Sequence, residues 1–530
     1  MLDLVVVGRF LRFVGGEVVV EEGCIGCKFG KIVVLSPSPS DFRDLIGSGT
    51  VVVRVDDRYL IVPGFVDSHC HLAEVARVGR WCCLRGCRSV SEVLSRLSRC
   101  GRYGGWVVGF GWDQEVLGEF ITRDVLDEVF PDVPVCLIRV CGHVAVLNRR
   151  GLELTRVHEK FPSYVDVGTG TVRECAVDYV RKFIASQLGV DQIAEELSSA
   201  VREFLRYGVT ACAYMSVDLP TLSALFLSDV VSKLPTRVFV YLEPDAAAKL
   251  TELELPPLWG TDRVRVYGVK FLLDGSFGAR TALLREPYSD SPSDYGTMYM
   301  DLSEFEELVK RFSSCGWQIA THAIGDKAIG CVIDTYRRVG VVASRTELRH
   351  RIEHVSLTPP DLLNAIAELR PVLCVQPQFI LSDFWIVDRL GTARSRWVYA
   401  LRSLLSTGAP LVASSDAPVE LQNPLLGIYA AVSRGRYEGL RLFEVSSDEV
   451  LDVVTALKLY TISGESVYRV PVGNIDVGYF ADMIVLSRDV SRLSDLRELK
   501  STEVLMTITG GEIVYEREVK GIEVKRGHLN

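Results

Sequence analysis

The middle of this chain alternates short apolar runs with amphipathic stretches, and no other feature constrains the fold as strongly. The runs lie at 64–67, 208–215 (GVTACAYM), 237–243 (RVFVYLE), 266–272 (VYGVKFL), 317–321 (WQIAT), 349–353 (RHRIE), 372–376 (VLCVQ) and 410–415 (PLVASS). Helical periodicity fills stretches between them, as at 302–314, 326–339 and 361–369. Apolar runs bounded by turn signals read as strands buried on both faces, and helices between strands make the connections parallel. Eight such strands are the number a (β/α)8 barrel requires. A doubly wound open sheet is the alternative, but no Gly-x-Gly-x-x-Gly turn follows the first strand.

The two ends of the chain differ from its middle. The first sixty residues and the tail carry short β runs (LVVVG, KIVVLS, TVVVRV; ADMIVLS, VLMTITGG) separated by Gly, Pro and Asp. They are expected to pair into one composite β-sandwich domain, 1–61 with 465–530, flanking a barrel made of 62–72 and 201–464. The connection after the first barrel strand is far longer than a simple βα loop. Residues 73–200 are therefore read as an insertion, with strand-like WVVGFGW and PVCLIRV and helical character at 176–205. It leaves the end of the barrel where loops shape the substrate site, so it is expected to cover the active site.

Composition narrows the function classes. Net charge is −9 and no long basic run occurs, which argues against a nucleic-acid partner, since phosphate contacts need clustered Lys and Arg. No apolar run is long enough to span a bilayer, and MLDLVVVGRFLRFVGGEVVV lacks the features of a signal peptide. A cytoplasmic protein acting on a small molecule is the expectation, with surfaces that could support a homodimer. The 14 cysteines are scattered. The clusters Cys24/Cys27 and Cys82/Cys83/Cys87 lack a second pair at zinc-site spacing and are read as ordinary packed thiols, with a redox or disulfide role as the alternative.

The histidines are more informative, because there are only eight. In PGFVDSHCHL, His69 and His71 stand one residue apart at the end of the first strand, so their imidazoles project from the same face. His322 ends the fifth strand (QIATHAIGD), His354 the sixth (RIEHVS) and Asp416 the eighth (VASSDAP), while Lys270 lies in the fourth (GVKFLLDG). Barrel enzymes carry their chemistry at the C-terminal ends of strands. Each residue alone has an ordinary structural reading: a packed histidine, a capping aspartate, a lysine ion-paired with Asp274. Together at strand ends they point to a metal site.

With these motifs in view the chain resembles the amidohydrolase superfamily. PGFVDSHCHL, VKFLLDGSFGARTA, THAIGDKA, RIEHV and SSDAPVE carry the resemblance, and GFGWDQ, RVCGHVAVLN and VGNIDVGYFADMIVLSRD narrow it to amidohydrolase family 3, the branch that includes N-substituted formamide deformylases. Tyr479 stands where the family often has a basic residue, and the segment after Gly142-His143 is unusually aliphatic.

The resemblance implies a metallo-hydrolase barrel. His69, His71 and Asp416 would hold one divalent metal, and His322 and His354 a second. Lys270 would bridge them once CO2 has converted its amine to a carbamate. Two Zn2+ ions per chain are the expected cofactor, although Mn2+, Fe2+ or Ni2+ suit the same ligands. The reaction implied is hydrolysis of a C–N bond in an amide, formamide or cyclic amide by a metal-activated hydroxide, with Asp416 as proton shuttle. His143, Trp112 and Asp113 are candidate substrate contacts, with Arg280 and Ser276 weaker ones; packing within the insertion is an equal reading for Trp112 and Asp113. A mononuclear lyase, isomerase or deaminase on the same fold is the alternative, and a non-catalytic scaffold the remaining one.

Overall fold

The computed structural model describes residues 1–140, 142, 144–232 and 234–527. Eight parallel strands form the central sheet: β1 (Phe65–Cys70), β2 (Val209–Val217), β3 (Arg237–Leu242), β4 (Val264–Leu272), β5 (Gln318–Ala323), β6 (Arg351–His354), β7 (Val372–Val375) and β8 (Leu411–Ala413). Each pairs with its neighbour in sequence order. The sheet curls into a nearly closed barrel rather than the open alternative. Its seam is stitched just beyond β8, where the Asp416 N–H donates to the His69 carbonyl at 2.8 Å and the Ser415 N–H donates to Asp67 Oδ1 at 3.0 Å.

Strand alternation sets which side chains face inward. On β4, Phe271 points outward onto Phe305 and Phe312 of the helix Leu302–Ser314, with ring centroids 5.8 and 6.1 Å away. Lys270 and Leu272 therefore share the inner face. Below them the interior is filled by Ala211, Ala213, Tyr241, Tyr267, Ala320, Cys374 and Val412.

Strands from both ends of the chain enter one nine-stranded sheet. Leu60–Pro63 pairs antiparallel with Met483–Leu486, and Val51–Val55 with Ile522–Arg526. Alternating apolar residues such as Leu4, Val6, Ile25, Val53, Met483, Val485 and Ile508 meet in its core. This sheet is fastened to the barrel by a buried ion pair, Arg237 Nε to Asp482 Oδ2 at 2.8 Å.

Residues Ala73–Leu197 form a compact unit of their own. Its six-stranded sheet contains Val107–Trp112 and Val135–Arg139, with Cys82–Cys83, Val144–Leu147, Val165–Asp166 and Thr171–Arg173 beside them. The last four are too short to be distinguished from loops by periodicity. The helical character expected at 176–205 resolves into two helices, Cys175–Ala185 and Val190–Arg206, interrupted next to Gly189. Cys82 is joined to Cys100 in a disulfide, a correction to its reading as a packed thiol. Residues 18 apart in sequence meet here because the helix between them folds back. Among the described residues no helix is long and apolar enough to cross a membrane.

Candidate metal centre

Six predicted residues converge at the C-terminal end of the barrel. The His69 and His71 Nε2 atoms lie 3.4 and 3.3 Å from the same oxygen, Oδ1 of Asp416. The ligand atoms of these three residues all fall within 4.8 Å of one another. The His354 ring lies 5.0 Å from His69 and 4.2 Å from His322, centroid to centroid. Lys270 is paired in register with Ala320, two residues before His322 on the neighbouring strand.

The backbone helps aim these groups. His354 and Asp416 both have left-handed backbones, with φ of 74° and 58°. Such conformations are costly for side-chain-bearing residues and persist where surrounding structure enforces them, often at functional sites. Here the enforcing contacts are the seam bond from Asp416 N–H to His69 O and a bond from Val355 N–H to Ala323 O at 3.1 Å.

A second layer of polar groups fixes each imidazole. His69 Nδ1 is 2.6 Å from Glu353 Oε2, so its Nε2 faces the centre. His354 Nδ1 is 2.8 Å from Gln376 Oε1, and Gln376 Nε2 donates to Ser414 Oγ at 3.0 Å. The His322 ring is held from its other nitrogen: Nε2 lies 3.0 Å from the Gly275 carbonyl and 3.5 Å from Asp274 Oδ1. Such partners orient ligating histidines and raise their basicity. Glu353 is itself gripped by Arg351, whose Nε and Nη2 donate at 2.7 and 3.1 Å. Arg351 also reaches Tyr241 Oη, Tyr468 Oη and the Ser68 carbonyl.

Burial dictates the charge states. It pushes the His69 and His354 imidazoles well below their usual value and His322 down to about 3, so each ring is neutral and keeps a lone pair. Burial also lowers Lys270 to about 8, and its Nζ has no hydrogen-bond partner among the described residues. A buried amine without a partner is costly. Neutral rings at His69, His322 and His354, a carboxylate facing His69 and His71, and an orphaned amine fit a divalent ion with nitrogen and oxygen ligands. A second grouping, His69 with Glu353 and Cys374, fits less well. Arg351 already neutralises Glu353, and burial keeps the Cys374 thiol protonated by raising it well above its usual value.

The remaining candidates have partners of their own. Trp112 is buried in the core of the Ala73–Leu197 unit, with Nε1 donating to the Leu137 carbonyl at 3.2 Å and its ring edge-on to Phe120. Asp113 pairs with Arg139 at 3.0 Å. These are the packing roles open to both residues. Arg280 sits in the loop after β4, ion-paired with Asp290 at 2.8 Å, and the Ser276 hydroxyl accepts from the Ala279 N–H in that loop. His143 lies outside the described residues.

Sequence reasoning passed over Glu353, Arg351, Gln376 and Asp67. Asp67 accepts from the Ser415 N–H and hydroxyl, and burial pushes its carboxyl up to about 6. The available signal was an Arg and a Glu two residues apart, hence on one face, in a strand that must be buried.

Comparison with known proteins finds relatives over most of the chain. The family described as the amidohydrolase family, family 3, matches residues 59–515. YtcJ of Bacillus subtilis (strain 168), an amidohydrolase by name, is 31% identical over 484 residues, covering 86% of this chain and 89% of its own. The N-substituted formamide deformylase of Arthrobacter pascens is 25% identical over 552 residues, 98% of this chain and 99% of its own. A crystal structure of an uncharacterized metal-dependent hydrolase from Pyrococcus horikoshii superposes with a TM-score of 0.82 at 33% identity, covering 92% of this chain and 98% of that one. The chain belongs to the amidohydrolase family.

Proposed function

We propose that this protein is a metal-dependent hydrolase that cleaves the C–N bond of a small amide, formamide or cyclic amide. The observation that carries the reading is the facing of His69 and His71 onto one carboxylate oxygen of Asp416 beside the partnerless, buried amine of Lys270. His69, His71 and Asp416 would hold one divalent ion, and His322 and His354 a second, zinc being the metal we favour. A divalent ion bound here supplies a Lewis acid and lowers the pKa of water to about 7.

The chain's own residues account for the rest. Lys270, held partly unprotonated by burial, can add CO2 through its neutral amine, forming an N–C bond and releasing one proton. The resulting carbamate has two oxygens and a negative charge, which suits a position between two cations. His69 and His71 both meet Oδ1 of Asp416, which leaves its other carboxylate oxygen available to a proton. It would take the proton of the attacking water and return it to the departing nitrogen. The Gln376–His354 and Glu353–His69 contacts hold the rings so that this transfer needs no rearrangement.

A second reading, a single ion on His69, His71 and Asp416, is favoured by the tightness of that triad and by the engagement of His322 Nε2 with Gly275. Elemental analysis of protein prepared with zinc and bicarbonate separates the two. About two metals per chain with turnover of N-substituted amides supports the dinuclear amidohydrolase; about one without such turnover favours a deaminase, lyase or isomerase on this barrel. Absence of bound metal and of any turnover would overturn the function proposed here.

A further inference from the structure

The hairpin of strands Leu4–Val14 and Glu17–Lys28 turns through Gly15 and Gly16, with φ of 57° and 87°. Two successive left-handed residues suit the twist of a two-residue hairpin, and glycine takes that backbone without strain. The turn meets the helices Val453–Leu459 and Ser463–Tyr468, where Lys458 Nζ donates to the Gly16 carbonyl at 2.5 Å. Beside it the buried Asn474 pairs with the backbone of Phe13 in both directions. It accepts from the Phe13 N–H at 2.8 Å and donates to the Phe13 carbonyl at 3.0 Å.

These contacts leave a cavity of about 260 Å3 between the hairpin and the helices, close to the lower limit of roughly 300 Å3 for ligand sites. None of its lining residues belongs to the metal centre. Phe13 and Ile462 supply apolar walls, and Lys458 and Glu465 supply opposite charges. Among the described residues these two form no ion pair, with each other or with any other side chain. Glu465 Oε2 accepts only the Tyr479 hydroxyl, at 2.6 Å. A phenol donates a hydrogen bond without a charge. Tyr479, at a position where the family often has a basic residue, therefore leaves the carboxylate uncompensated. A cation and an anion that line one cavity without neutralising each other are complementary to a ligand that carries both charges.

We infer that this cavity binds a small zwitterion, an aliphatic amino acid whose carboxylate meets Lys458 and whose ammonium meets Glu465. Beyond the donor given to Gly16, the lysine keeps further N–H groups, and Glu465 keeps Oε1 as an acceptor. The carbon chain lies between Phe13 and Ile462. A hydrogen bond to a charged group contributes about 10- to 100-fold in affinity. The site stands whichever reaction the metal centre performs.

The test is calorimetric titration of the zinc-loaded full chain with ω-amino acids from β-alanine to 6-aminohexanoate. The series reads which separation of charges fits, and its longer members close only large, unfavourable chelate rings on zinc. Butyrate and butylamine present each charge alone. The expected result is a single saturable site at which the best zwitterion binds about 10- to 100-fold tighter than either analogue. Lys458→Gln and Glu465→Gln should each weaken it by about the same factor. Glutamine can still donate to Gly16 or accept from Tyr479, so both variants keep the local fold, which thermal unfolding and zinc content verify.

The inference is overturned by the absence of saturable heat from every member of the series. It is equally overturned by binding that is unchanged in either variant, which places the ligand elsewhere, or by butyrate or butylamine binding as tightly as the zwitterion.

Discussion

Replacing Glu353 by Gln removes one charge from the second layer and almost no volume. In the fold, Glu353 Oε2 faces His69 Nδ1 at 2.6 Å while the same carboxylate takes two donors from Arg351, and all of these groups are fully or almost fully buried. Two consequences can be separated. First, the guanidinium keeps only the neutral oxygens of Tyr241, Tyr468 and Ser68. Breaking a buried pair of this kind costs about 3–5 kcal/mol of stability. Second, the His69 ring loses an anionic acceptor. Loss of such a partner typically lowers metal affinity about 10–100-fold, or about 1.4–2.7 kcal/mol. Glu353→Asp should keep part of the pairing with Arg351 but withdraw from His69, so affinity should fall more than stability. The assay is zinc titration of metal-free protein by calorimetry, beside thermal unfolding of the same metal-free samples. If Glu353→Gln lowers the unfolding temperature but binds zinc within threefold of the natural protein, Glu353 serves only Arg351, and its orienting role is refuted.

Four further outcomes follow from the same geometry. His69→Ala combined with His71→Ala should abolish metal binding and hydrolysis while far-UV circular dichroism stays native; retained activity would refute the ligand assignment. Lys270→Met should lower zinc stoichiometry from about two to about one per chain, without loss of thermal stability, because it removes a buried amine that has no hydrogen-bond partner; unchanged stoichiometry would refute the bridging role. Asp482→Ala removes the carboxylate partner of the buried Arg237 and leaves its guanidinium the Asp262 carbonyl and the Phe480 ring, so denaturant unfolding should show a loss of about 3–5 kcal/mol with metal content intact. His350 is buried with its usual value pushed down to about 3, Nδ1 accepting from the Ile319 N–H. The folded state holds it neutral and the unfolded chain protonates it below about 6.5. Stability should therefore fall as pH drops from 6.5 towards 3, by about 1.4 kcal/mol per unit from this residue. His350→Asn should flatten that slope, and an unchanged slope would show that another group is responsible.

Much of this was legible without coordinates. The eight strand segments could be read because strands buried on both faces must be continuously apolar, and the helices between them carry the 3.6-residue period. His69, His71, Lys270, His322, His354 and Asp416 stood out because polar side chains are rare in such segments and cluster at strand ends only where chemistry needs them. The pairing of the chain termini into one sheet was foreseeable from their shared β character, although no local pattern names Leu60–Pro63 as the partner of Met483–Leu486.

Tertiary structure alone decided the rest. Alternation says which way His354 points, but not that Gln376 meets its Nδ1 or that Glu353 meets His69 across 284 positions of sequence. Those contacts arise from the stagger between neighbouring strands and the closure of the seam at Asp416, quantities set by the whole sheet rather than by any segment. The disulfide between Cys82 and Cys100 and the burial of Trp112 depend in the same way on how a separate unit packs. Sequence by itself determined the elements and their chemistry, because propensity and hydrophobic period are local. Which nitrogen of each imidazole faces the centre, and which amine is left without a partner, was decided by packing, because a hydrogen bond is fixed by three-dimensional proximity and not by order along the chain.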